Sequence, residues 1–378
     1  MLRISDTIYW IPDGYAPDER GLAAVEAESA AFEGGTIIRR AASEDQVVLE
    51  AASVLREGGL VAFPTETVYG LGASAMNMHA LLSVYKAKGR PTDNPLIAHI
   101  SEWDQLEMLC GQVPPLAEKL ARRFWPGPLS ILLPAVRGLP AALTAGLPTV
   151  AVRMPGNALA RKLISAVGVP LAAPSANLSG RPSPTEATHV LHDLRGRIAG
   201  VIEGGLCRVG IESTVVEIAD GGIVILRPGS IGLDELAAAG SAHVRHVAPW
   251  DPDSDRRPRS PGQKYRHYAP RAPLFLVSGD CEAVRREIGE RVRAARAAGR
   301  RVAVLSSFAE FADQVELSFP LTASGQPAEV ARQLYRALRE CDRARVQVIF
   351  AQGLPPGEET AAVMNRLTRA ADGNLIRV

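Results

Sequence analysis

Apolar and polar positions along the chain fall into two textures. Residues 1–35 mix acids, alanines and glycines without a sustained period and read as an N-terminal extension. From Thr36 onward, short apolar runs are bounded by Gly and Pro, the mark of regular elements joined by tight turns. The spacing predicts a helix over Ser43–Glu57, where Val47, Ala51, Val54 and Leu55 share a face. Leu60–Phe63, Ser130–Leu133, Thr149–Val152, Leu171–Ala173, Gly200–Ile202, Ser213–Ile218 and Ile223–Leu226 read as strands, some alternating with helices. The turn Ala219-Asp220-Gly221-Gly222 between the last two predicts a hairpin, so the sheet is expected to be mixed rather than that of a pure Rossmann unit.

Periodicity fails between Gly240 and Pro273, and Trp250–Pro261 is dominated by Asp, Arg, Pro and Ser, a linker composition. Beyond it, strand-like Leu274–Val277, Val302–Leu305 and Val346–Ala351 alternate with helices at Glu282–Ala298 and Pro327–Arg343, and a last helix runs from Glu359 to Ala371. The expected organisation is therefore an extension (1–35), an α/β domain (36–240), a linker (241–272) and a smaller α/β domain (273–378). The helix from Glu282 carries an apolar stripe (Val284, Ile288, Val292, Ala295) with seven arginines between 285 and 301 mostly outside it, which a solvated face explains more readily than an RNA contact does.

Composition narrows the classes. A chain of 378 residues exceeds one ordinary domain, and 47% hydrophobic with 22% charged residues excludes a disordered or fibrous protein. Lys plus Arg is 42 against Asp plus Glu of 41, so no overall field points to nucleic acid or a membrane. Cys110, Cys207, Cys281 and Cys341 are far apart, which argues against a disulfide framework or a structural zinc site. No basic-then-apolar leader opens the chain and no apolar run approaches about 20 residues, so a cytoplasmic protein without a membrane span is expected.

Phosphate-loop, dinucleotide, nucleophile-elbow and zinc-protease signatures are all absent. Chemistry is concentrated instead in five polar loops at strand ends. Pro64-Thr65-Glu66-Thr67 offers two hydroxyls and a carboxylate, suited either to a zwitterionic ligand or to a turn capped by Thr65. Lys86-Ala-Lys88-Gly89-Arg90-Pro91 holds two of the five lysines, and its Gly and Pro predict an irregular loop, either a phosphate-binding pair or a solvated turn. His99 follows in an apolar run, where a core histidine is the ordinary explanation. Arg153 ends a buried-type strand and requires a carboxylate partner, from protein or substrate. Pro174-Ser175-Ala176-Asn177 and the following Ser179–Ser183 suit a phosphate and adenine site or an ordinary turn, and Glu212-Ser213-Thr214 faces Arg227-Pro228-Gly229 across the hairpin.

In these stretches the chain resembles the threonylcarbamoyl-AMP synthases, in the long form that joins a YrdC-type domain to a smaller C-terminal domain. The matching segments are PTETVYGLG (64–72), KAKGRPTDNPLIAHI (86–100), FWPGPLSILL (124–133), TVAVRMP (149–155), APSANLSGRPSPT (173–185), ESTVVEI (212–218) and LRPG (226–229). PGQKYRHYAP (261–270) resembles the K-Y-x-H-Y linker of the long form, and Met364-Asn365-Arg366 resembles its C-terminal end. Only the extension is unmatched.

The resemblance implies a twisted, mixed open sheet with helices and a concave basic cavity, followed by a Rossmann-like α/β domain. It implies conversion of L-threonine, bicarbonate and ATP, with Mg2+, into threonylcarbamoyl-AMP and pyrophosphate, for tRNA modification next to the anticodon. Carried over by motif, threonine is held by Thr65, His99, Arg153 and Ser213, with Arg153 on the carboxylate. ATP is held by Lys88, Arg90, Thr149, Ser175, Asn177, Ser183 and Arg227, with Lys88 and Arg90 acting on the phosphates. Tyr265, His267 and Tyr268 form a linker lid over a water-labile adenylate. The implied partners are the tRNA threonylcarbamoyl-transferase machinery and tRNA itself, with no membrane and no structural metal. Two other readings stand beside this one: an RNA-binding accessory factor, and a carbamoyltransferase-like relative, which would lack the KYRHY linker.

Overall fold

In the computed structural model, Asp220 and Gly221 at the expected turn both have positive φ, 53° and 70°, the conformation a two-residue hairpin requires. The strands they join are antiparallel. The structure describes residues 6–16, 36–40, 43–247, 258–261, 264, 267–321 and 326–378, with 19 and 23. The chain divides into two compact units, one of 1–179, 184–208 and 212–264, the other of 180–183, 209–211 and 265–378.

The first unit contains β1 (Thr7–Ile11), β2 (Thr36–Arg40), β3 (Val61–Phe63), β4 (Gly70–Ser74), β5 (Ile97–His99), β6 (Leu129–Pro134), β7 (Thr149–Arg153), β8 (Leu171–Ala172), β9 (Gly200–Ile202), β10 (Thr214–Ala219), β11 (Gly222–Arg227) and β12 (Val244–His246). They form one 12-stranded mixed sheet in the order β12-β11-β10-β6-β7-β5-β8-β4-β3-β9-β1-β2. Its helices are α1 (Glu44–Arg56), α2 (Met78–Lys88), α3 (Pro115–Phe124), α4 (Ala141–Thr144), α5 (Ala158–Val167), α6 (Ala187–Leu194) and α7 (Leu233–Gly240).

Local chemistry sets the helix ends. Ser43 caps α1 by accepting from the Gln46 amide at 3.2 Å. Val47, Ala51 and Leu55 of α1 pack with Leu163 and Ile164 of α5 and with Phe63 in one apolar cluster. Burying side chains of this size stabilises by about 1.5–3 kcal/mol each. Asn77 caps the start of α2, and Gly89 in the left-handed conformation ends it. Lys86 and Lys88 therefore lie on the last turn of a helix, not on an irregular loop: the glycine stops the helix after Lys88, not before it.

Two further expectations are corrected. The first 35 residues are not merely an extension without regular structure, because β1 lies inside the sheet, parallel to β9 on one side and β2 on the other. Its sequence, Thr-Ile-Tyr-Trp-Ile, is a strand pattern of β-branched and aromatic residues, obscured by acidic and proline neighbours. Residues 70–74, to which the sequence reading assigned no strand, form β4 despite two glycines. Gly72 faces the Phe63 ring so closely that an added Cβ would lie 2.8 Å from it, so the glycine makes room for the aromatic.

The second unit holds β13 (Leu274–Ser278), α8 (Cys281–Ala297), β14 (Val302–Ser306), β15 (Leu317–Pro320), α9 (Pro327–Arg343), β16 (Val348–Gln352), α10 (Glu358–Ala371) and β17 (Leu375–Arg377). All its pairings are parallel, in the order β15-β14-β16-β13-β17, which is the expected Rossmann-like arrangement. Val284, Ile288 and Val292 of α8 pack on Val302, Val304, Val348 and Phe350. On its outer side Arg291 pairs with Glu287 at 2.7 Å, an i,i+4 contact, and Arg285 pairs with Glu282 and Glu310.

Candidate active site

Sheet register brings the distant motifs together. β5 and β7 run parallel with His99 opposite Arg153. β8 runs antiparallel to β5, with Leu171 opposite His99, so the chain leaving β8 toward Ser175 departs at the other end of these strands. A three-residue strand spans about 10 Å. His99 and Arg153 thus lie at one end of these strands and Ser175 at the other, roughly one short strand apart, while the Pro64–Thr67 loop leaves β3 beside Gly70 and Ser175 and reaches Arg153 from there.

At the first end Arg153 is nearly fully buried, 4% exposed. Its Nη1 donates to Thr67 Oγ1 at 2.9 Å and its Nε to the Gly127 carbonyl at 3.1 Å. Nη2 lies 2.7 Å from Glu66 Oε1, which also accepts from the Gly156 amide at 2.9 Å. The carboxylate partner demanded by a buried arginine is therefore supplied by the protein, within the Thr65–Thr67 loop. Burial alone would raise the Glu66 carboxyl, but the charge of Arg153 and the Gly156 and Arg153 hydrogen bonds outweigh it and hold its pKa below the usual value.

Thr65 does cap its turn: its hydroxyl accepts from the amides of Thr67 and Val68, both at 3.2 Å, and donates to the Val68 carbonyl at 2.6 Å. His99 is buried, and desolvation foremost, with the charge of Arg153, pushes its pKa down to about 3. It is neutral at physiological pH. A contact of 3.2 Å between Nδ1 and the Ile97 carbonyl makes Nδ1 the protonated nitrogen, leaving Nε2 as an acceptor.

At the other end Lys88, 2% exposed, points its ammonium into main-chain carbonyls. Nζ donates to the carbonyls of Ser175 and Asn177, the latter at 2.5 Å, and lies 3.4 Å from Asn177 Oδ1. The Lys88–Arg90 and Ser175–Asn177 segments are thus tied together through the Lys88 ammonium. Arg90 is also buried and donates to the carbonyls of Asn94 and Pro95, at 3.2 and 2.9 Å. Thr149 opens β7 while Arg153 closes it, about 13 Å apart along the strand, which puts Thr149 at the Ser175 end.

Ser213, just before β10, exchanges a hydrogen bond with Ser130 at 2.8 Å. Arg227 holds it through bonds to its carbonyl at 3.1 and 3.0 Å and to its hydroxyl at 3.0 Å. Gly229 permits this closeness, since a Cβ there would sit 2.3 Å from the Thr214 amide nitrogen. Sequence reasoning counted Thr67 only as one of two hydroxyls in its loop, gave Ser130 no role, and asked a carboxylate partner of Arg153 without naming Glu66.

Ser183 and the linker residues His267 and Tyr268 belong to the second unit. Tyr268 is buried at φ 64°, its ring 5.4 Å from that of Tyr335 and 5.5 Å from that of His267. The fully buried Arg366 guanidinium lies 5.6 Å from the Tyr268 ring. The expectation for Tyr265 lies outside the described residues.

Two family models match the chain. Residues 53–229 fit one described as telomere recombination, and residues 231–372 fit the threonylcarbamoyl-AMP synthase C-terminal domain. A threonylcarbamoyl-AMP synthase of Pyrococcus abyssi is 46% identical over 335 residues, covering 89% of this chain and 97% of its own. One of Bacillus subtilis is 47% identical over 340 residues, covering 89% and 96%. The chain belongs to the threonylcarbamoyl-AMP synthase family. It is an enzyme of the nucleotidyltransferase type, forming the adenylate that begins threonylcarbamoyl modification of tRNA. Among solved structures, P. abyssi Sua5 complexed with L-threonine is similar with a TM-score of 0.82 and 44% identity, covering 90% of this chain and 98% of that one. Family membership displaces the RNA-accessory and carbamoyltransferase readings. Among the described residues no helix is long and apolar enough to cross a membrane.

Proposed function

We propose that the two ends of the site divide the reaction between them. L-Threonine sits among Thr65, His99, Arg153 and Ser213, its carboxylate on Arg153. ATP extends toward Lys88 and Arg90, with Ser175, Asn177, Thr149, Ser183 and Arg227 along its length. The observation that carries this reading is the pairing of a charged Arg153–Glu66 couple and a neutral His99 at one end of β5 with a buried lysine at the other. The similar P. abyssi protein was solved with L-threonine, which supports the amino-acid end.

The threonine amine and bicarbonate or carbon dioxide give a carbamate, whose oxygen attacks the α-phosphorus and releases pyrophosphate. Lys88 and Arg90 neutralise the departing phosphates, so positioning and charge stabilisation account for the rate. Mg2+ arrives with ATP, held largely by phosphate oxygens and water, and supplies charge neutralisation there. His267, Tyr268 and Tyr265 act as a lid that keeps water from the adenylate, which passes in the cytoplasm to the tRNA threonylcarbamoyl-transferase machinery.

The test is pyrophosphate release from magnesium ATP with L-threonine or bicarbonate omitted in turn and L-serine substituted, the adenylate being followed by mass spectrometry. Release that needs both substrates and yields threonylcarbamoyl-AMP is expected. Release independent of threonine would refute the assignment.

A further inference from the structure

The Arg153–Glu66 pair is incomplete in a particular way. Oε1 of Glu66 takes both the Arg153 contact and the Gly156 amide, while Oε2, equally buried, has no hydrogen-bond partner among the described residues. On the other half of the pair, Arg153 Nη2 lies 2.7 Å from the same Oε1, so the arginine engages only one of the two carboxylate oxygens. One buried acceptor, Oε2 of Glu66, is therefore unmet in the ion pair. Buried polar groups are ordinarily satisfied, and charged ones most stringently. A ligand with an ammonium and a carboxylate on one carbon can give Oε2 its donor while its own carboxylate lies beside the arginine.

We propose that Glu66 is the ammonium-binding residue of the amino-acid pocket, completing with Arg153 a receptor for the zwitterion. This rests on the reading that L-threonine binds at Arg153, and adds the residue that receives its other charge. Neighbouring groups do not supply that charge. Thr65 and Thr67 are neutral hydroxyls, and Thr65 Oγ1 already accepts two amides and donates to a carbonyl. His99 is neutral and offers a lone pair only. Arg153, Glu66 and His99 then sum to no net charge, as the zwitterion does. Without Glu66, an ammonium would stand beside Arg153 without the carboxylate that pairs with that arginine. Glu66 stays ionised across the physiological range, as the role requires.

The ligand comparison that isolates this role uses L-threonine and its analogue with hydroxyl in place of ammonium, 2,3-dihydroxybutanoate, titrated by calorimetry into the full-length protein. Wild type is expected to bind threonine at least about 50-fold more tightly than the hydroxy acid. Glu66→Gln should weaken threonine to the level of the hydroxy acid and change the hydroxy acid less than about threefold. Equal weakening of both would show that Glu66 serves only to orient Arg153 and would overturn the proposal, as would undiminished threonine binding. Should Glu66→Gln not fold, as judged by thermal melting, Glu66→Asp keeps the charge and shortens its reach. A reduced threonine preference is then expected, and an unchanged one overturns the proposal. Arg153→Lys tests the underlying reading separately: it should weaken both ligands, and if it weakens neither, the amino-acid site lies elsewhere whatever Glu66 does.

Discussion

His99 shows what burial does to one side chain. In the unfolded chain a histidine takes up its proton near pH 6.5, whereas in the fold it does so only at about pH 3. Between these values the unfolded state binds the extra proton, so the contribution of His99 to stability is complete above pH 6.5 and is lost as pH falls toward 3. The loss amounts to about 2 kcal/mol by pH 5. Glu66, whose pKa is depressed, adds a second loss as pH falls below the ordinary carboxylate range. Denaturant titrations from pH 7.5 to 4.5 should show this decline, and His99→Gln should flatten the limb below pH 6.5; an unchanged slope would mean that His99 is charged in the fold. At this scale the sequence was half legible. The residue types that carry chemistry stood out in it, but whether His99 was core or ligand, and whether Arg153 met protein or substrate, depended on pairings between strands more than fifty residues apart.

Elements were legible where periodicity and punctuation agreed. The α1 helix, the β10–β11 hairpin and α9 match their expected spans closely, because caps, apolar stripes and the Asp-Gly turn speak in the same local sense. The strands β4, β5 and β1 were not assigned from sequence, since each is short and draws its stability from neighbours on both sides. β1 makes the strongest case. Trp10 is 1% exposed and Tyr9 fully buried. Trp10 Nε1 donates to Glu50 at 2.9 Å, and its ring covers Gly200 so closely that a Cβ there would lie 2.0 Å away. Trp10→Ala should therefore cost about 3–5 kcal/mol, read as a lower midpoint in urea unfolding. A loosely attached extension would predict no shift.

At the scale of the molecule, composition correctly separated a folded α/β protein from fibrous, disordered and disulfide-stapled classes, and the change of texture after residue 240 signalled a second unit. It did not reveal that residues 180–183 and 209–211 group with that second unit, because compactness depends on packing that no local window contains. The second unit has its own parallel sheet and its own apolar cluster, so residues 267–378 produced alone should give a cooperative thermal transition. A featureless melt would show that this core needs the rest of the chain.

The position of β1 also bears on the order in which the protein is made. Its register partner is β9, and the Tyr9 hydroxyl donates to Glu203, 194 residues further along. That carboxylate also accepts from the amides of Gly204 and Gly205, at 2.9 and 2.6 Å, so the place where Tyr9 belongs is built by chain not yet synthesised when β1 leaves the ribosome. At ordinary translation rates the wait is roughly 10–40 s. For most of that interval a strand bearing tyrosine, tryptophan and two isoleucines has only β2 to pair with, and the acidic, proline-containing stretch beside it is of the composition that works against pairing with others of its kind.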